Sequence, residues 1–140
     1  MSRDVSVGLE FQRDIDFEEI LDRLARAGWE FLREEDSIWY STDSDWKVLP
    51  LARLDEAKRD MRTAYEAGEA VSITARLPDE ETFANVLFHE KRTSVWLIPL
   101  LDYRAIAHLP EFVDLGWYLE RFLAPCRDLP ILRTEASEQR

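Results

Sequence analysis

The stretch "FANVLFHEKRTSVWLIPLL", residues 83–101, limits the folds open to this chain more than any other segment. Its two apolar runs meet at Glu90, Lys91, Arg92 and Thr93, a polar group suited to a hairpin turn. Pairing His89 with Ser94 sets Phe88 against Val95 and Val86 against Leu97 on one face. The same register sets Leu87 against Trp96 and Asn85 against Ile98 on the other. An antiparallel strand with one wet face alternates apolar and polar residues, whereas these two strands are largely apolar on both sides. Either a second layer covers each face, or one face meets another chain.

The rest of the chain supplies partners for that hairpin. Val5, Val7, Leu9 and Phe11 alternate with Ser6, Gly8, Glu10 and Gln12, the period of a strand with one buried face. Asp16 and Glu19 form a capping pattern, and Phe17, Ile20, Leu21, Leu24 and Ala27 repeat at helical spacing up to Gly28, predicting a helix over 17–27. Period two returns at Trp29 and Phe31 and again at Ile38 and Tyr40, either side of the turn-like residues 34–37, which predicts a hairpin of two strands. Residues 46–51 read as a short strand or extended connector closed by Pro50. A second helix is expected over 55–67, with Ala57, Met61, Ala64 and Tyr65 on one side and Gly68 as its stop. Val71, Ile73, Ala75 and Leu77 form another strand.

A covering helix is expected over 112–124 through Phe112, Leu115, Leu119, Phe122 and Leu123, closed by Pro125. The fold class is therefore α+β: an antiparallel or mixed sheet of about six strands with two to three helices, in the approximate order βαββαβββα. Residues 1–133 are expected to form a single domain and 134–140 a polar, flexible tail. A domain of this size buries about 68–70% of its unfolded surface and needs no disulfide or metal to fold.

Charge narrows the partners. The chain carries 29 acidic against 18 basic residues, a formal net charge of -11. Such a surface repels phosphate backbones and anionic lipid, so neither nucleic acid nor membrane is expected as a partner. A basic protein is favoured, because complementary fields speed encounter and hold register. Cys126 is the only cysteine, which excludes an intrachain disulfide and fits a reducing compartment. The opening residues lack a signal peptide's continuous apolar run, and the longest apolar run, 95–101, is far shorter than the roughly 20 residues that span a bilayer. A cytoplasmic location is expected.

No motif declares a reaction. Asp43 and Asp45 begin like a calcium loop, but Val48 and Leu54 occupy the places where that loop needs Gly and Glu. His89 and His108 are the only imidazoles, too few for a three-His metal site, and His89 and Glu90 are adjacent strand residues that point to opposite faces. Cys126, His108 and Asp102 make a nominal nucleophile set, yet Cys126 follows Pro125 at a helix end, away from the N-terminal position that activates thiols. Glu10, Glu30 and Asp102 are candidate paired carboxylates that nothing in the sequence brings together. Four glycines and no phosphate-binding motif imply no nucleotide cofactor. No cofactor or metal is expected.

The strongest binding candidate lies within residues 29–51, where three tryptophans stand among acids. If Trp29, Phe31 and Tyr40 share the core face, Trp39 projects the other way, while Trp46 is expected beneath a helix. The candidate partner-binding set is Glu34, Glu35, Asp36, Trp39, Asp43 and Asp45: an aromatic anchor with an acidic rim. The expected function is a small acidic cytoplasmic protein-binding domain, in one concrete form an immunity protein or antitoxin neutralising a basic toxin or enzyme. The alternative is a small-molecule-binding regulatory domain, dimeric through the apolar hairpin 83–100. The third is an enzyme acting through His89 or the Cys126 and His108 pair.

Overall fold

The computed structural model describes residues 4–43, 45–78, 82–100 and 103–139. Among them, strands β1 (Asp4–Phe11), β2 (Ser37–Thr42), β3 (Asp45–Pro50), β4 (Val71–Leu77), β5 (Thr82–Phe88), β6 (Ser94–Pro99) and β9 (Ile131–Gln139) form one antiparallel sheet. The strand order is β3-β2-β4-β5-β6-β1-β9. β7 (Ala105–Ile106) and β8 (Leu109–Val113) form a separate two-stranded ribbon. The chain is therefore α+β, with helices α1 (Phe17–Arg26), α2 (Leu54–Glu66) and α3 (Leu115–Leu123).

The hairpin of β5 and β6 adopts the register its side chains predict, with Val86 opposite Leu97 and Leu87 opposite Trp96. Alternation then separates the sheet's two sides. Val7, Leu9, Ile73, Val86, Phe88, Val95 and Leu97 join Ile20, Leu24, Met61, Tyr118 and Phe122 of the helices in one buried cluster. The side chains of Phe83, Leu87, Trp96 and Ile98 alternate to the opposite side and stay outside that cluster. The two-sided apolar pattern thus reflects a helix-packed core on one face and partly buried apolar side chains on the other.

Local chemistry sets the helix ends. Asp16 caps α1 by accepting the Glu18 N–H at 3.0 Å, and Gly28 closes it at φ 104°. Asp114 caps α3 by accepting the Trp117 N–H at 3.2 Å, which starts that helix at Leu115. Residues 112 and 113, expected in the helix, instead end β8, and Phe112 is exposed.

Two further expectations are corrected. Trp29 and Phe31 are buried as predicted, but their segment contributes only an isolated bridge, Glu30 to Arg76 on β4, in place of a strand paired with β2. Residues 134–139, expected to be a flexible tail, belong to β9, which pairs with β1 from Asp4–Gln139 to Phe11–Ile131. An edge strand is held by backbone bonds on one side and needs few apolar side chains, so its sequence looks like a tail.

Candidate functional site

The β2–β3 hairpin stands at one edge of the sheet, and its two faces do different work. On the helix side, Asp60 of α2 accepts hydrogen bonds from Lys47 Nζ at 2.7 Å and Tyr40 Oη at 2.8 Å, joining both strands to the helix. The Lys47 bond, aided by the Tyr40 bond, holds the Asp60 carboxyl below its ordinary range against the opposing effect of burial. Burial and the same carboxylate push the Tyr40 phenol up. This cluster fixes the hairpin from beneath.

On the outward side, alternation presents Trp39 from β2 and Trp46 and Val48 from β3. Trp39 lies directly opposite Val48, and Trp46 opposite Ser41. Trp46 is 50% exposed and Val48 53%. Trp39 is half-buried: the Arg33 guanidinium sits 4.7 Å from its ring centre, and its Nε1–H donates to Ser37 Oγ at 3.2 Å. The aromatic anchor with most free surface is therefore Trp46, which sequence patterning puts under a helix.

The acids divide into two groups. Glu34, Glu35 and Asp36 form the exposed turn that enters β2, closed by the Ser37 N–H donating to Glu34 O at 2.7 Å. Asp43 and Asp45 lie at the far end, where β2 turns into β3. The six residues of β2, at about 3.4 Å each, separate the two groups by roughly 20 Å. Asp45, opposite Thr42, alternates to the helix side, so it shares the hairpin's end but not its outward face.

Glu35, Asp36 and Asp43 have φ of 39°, 61° and 46°, the left-handed region, which Asp visits readily and which costs Glu about 1 kcal/mol or more. Beside the first turn, Glu35, Asp36, Val48, Leu49, Pro50 and Leu51 line an open groove of about 780 Å³.

The residues weighed for catalysis are spread apart. Cys126 is buried, and burial pushes its thiol up to about 11, opposite to what a nucleophile needs. His108 is exposed in the β7–β8 turn, and Asp102 lies outside the described residues. His89 Nδ1 accepts the Lys91 N–H at 3.1 Å and so caps the β5–β6 turn. Glu10 pairs with Arg133 at 2.7 Å and Glu30 with Arg76 at 3.4 Å, in separate parts of the sheet. Among the described residues no three His, Cys, Asp or Glu side chains are grouped to hold a metal, and no helix is long and apolar enough to cross a membrane.

Sequence reasoning misses Trp46 and Val48 because "WKVL" reads two ways: Val48 and Leu49 are both apolar, so alternation alone does not say which side is inward. Lys47 misleads as well, because a lysine reads as solvent-facing, whereas here it stands opposite Tyr40 on the helix side and bonds Asp60. Comparison with protein-family models, with curated proteins and with solved structures finds no match to this chain.

Proposed function

We propose that this chain is a protein-binding domain that docks a basic partner on the outward face of its β2–β3 hairpin. The observation that carries the reading is the pair Trp46 and Val48, each about half exposed on a braced strand pair with acidic turns at both ends. Tryptophan contributes large contact area with few torsions to freeze, and an acidic rim draws Arg and Lys while excluding anions. The acidic turn of Glu35 and Asp36 and the net charge of -11 support the same partner chemistry. In its concrete form the domain is a cytoplasmic immunity protein or antitoxin whose acids enter the cationic cleft of a basic toxin or enzyme.

The test begins with capture on the immobilised chain at low and moderate salt, followed by affinity measurement with the partner identified. Trp46→Ala is expected to cost about 2 kcal/mol of binding. The triple change Glu34→Gln, Glu35→Gln, Asp36→Asn is expected to slow association and flatten its salt dependence. A partner whose binding neither change moves would remove this reading.

A second reading, a regulatory domain that dimerises or binds a metabolite along hairpin 83–100, rests on Phe83, Leu87, Trp96 and Ile98 remaining outside the core cluster. It requires a ligand that raises the melting temperature saturably.

A further inference from the structure

We infer that the free edge of β9 pairs with β9 of a second copy of this chain, antiparallel about a twofold axis at Thr134. Among the described residues the sheet ends at β9, and residues 132–136 are all exposed. The opposite edge carries two devices that discourage pairing, Lys47 and Pro50, within a six-residue strand. β9 runs nine residues and contains neither lysine nor proline.

Its backbone defines which residues can pair. Phe11 donates its N–H to Thr93 O on the β6 side at 2.8 Å, and Gln12 donates to Pro130 O on the β9 side at 2.9 Å. Antiparallel alternation then turns the peptide groups of Ser6, Gly8 and Glu10 toward Ser137, Glu135 and Arg133. The N–H and C=O of Thr134 and Ala136 therefore point away from the sheet.

Charge selects the register. With Thr134 facing its own copy, each Arg133 lies opposite the other chain's Glu135 at a non-hydrogen-bonded position, where strands approach to about 4.5 Å between Cα atoms. Leu132, 61% exposed, is the extra residue where β9 bulges between Arg133 and Ile131, so the regular ladder begins at Arg133. An axis at Glu135 opposes two like charges, and an axis at Ala136 matches Arg133 with Gln139, so only the Thr134 axis makes two opposite-charge pairs. Glu10, already 2.7 Å from Arg133, steadies that guanidinium. Glu138, whose Oε1 accepts the Val113 N–H at 3.0 Å, lies beyond the ladder. The dimer is isologous and leaves both β2–β3 hairpins free at opposite ends of a continuous sheet.

Sedimentation velocity of the full chain over a concentration series tests this. The mass is expected to rise with concentration toward twice 16.5 kDa. Arg133→Glu and Glu135→Arg each turn two attractions into two repulsions, and each shifts the dimerisation midpoint about tenfold to higher concentration. An equimolar mixture of the two variants restores both interchain attractions and recovers the dimer. Thr134→Pro removes an outward N–H that the monomer's sheet does not use and abolishes the dimer, with circular dichroism unchanged. The inference is overturned by a wild-type chain that stays monomeric, by a dimer indifferent to the single reversals, or by a mixture that fails to associate.

Discussion

One row of side chains crosses the outward face of the sheet: Trp46, Ser41, Ser72, Leu87, Trp96 and Gly8 stand on adjacent strands in register. It holds two tryptophans with opposite fates. Trp96 faces Gly8, and its six-membered ring occupies the space where a Cβ on that residue would sit. Trp46 faces Ser41, whose side chain fills the equivalent hollow and turns to Ser72 for a hydrogen bond. One indole is drawn down onto the sheet and the other is left half in solvent. Apolar identity alone does not decide whether an outward residue is packing or contact surface: Trp96 lies on an interior strand between Leu87 and Gly8, and Trp46 lies on the edge strand with Ser41 as its one cross-strand neighbour.

Filling the glycine hollow is the strongest way to break the contrast. Gly8→Ala sets a methyl into the Trp96 ring, which must swing out toward solvent. The expected cost is about 2 kcal/mol, or a fall in melting temperature of about 8 °C, with a red shift in tryptophan emission. Emission unchanged at full stability would show that the ring does not rest on the glycine.

A middle-sized effect comes from beneath the open end. Asp60→Asn removes the ion pair to Lys47 and the charge in the Tyr40 bond, costing about 1 kcal/mol at neutral pH, a figure held down because Asp60 is more than a third exposed. The folded carboxyl is held below its ordinary value, so its contribution is complete above the unfolded pKa and disappears as pH falls through the lowered one. Denaturation curves of the two proteins are therefore expected to converge in acid. A constant difference down to the lowest pH would show that the carboxylate's charge is irrelevant.

Much of the fold is legible in the amino-acid sequence alone. Strict alternation in β1 and β4, the capped apolar period of α1 and the His89–Ser94 register of β5 and β6 are local patterns, and the α+β class follows from them. The acids of the candidate site are legible as a cluster, but the distance between its halves is not, because the length of β2 separates them. β9 is hidden because its stabilising partner, β1, lies more than a hundred residues earlier. Trp46 is hidden for a related reason: its exposure depends on the partner strand's Ser41 and on Asp60 anchoring Lys47.

The smallest stability effect carries the sharpest form of the comparison. Trp46→Ala removes a large side chain, yet its indole is half exposed and belongs to no core cluster, so folding stability is expected to change by no more than about 0.5 kcal/mol. The five tryptophans also differ in accessibility: Trp29 and Trp117 are buried, Trp39 lies under Arg33, and Trp96 covers Gly8. Acrylamide should therefore lose most of its quenching when Trp46 alone is replaced. A stability loss of about 2 kcal/mol would mean that Trp46 is packing, as Trp96 is. Near-neutral stability with lost quenching would leave a large apolar group that folding does not need, on a face with acidic turns at both ends. Such a residue contributes through what it meets outside the chain.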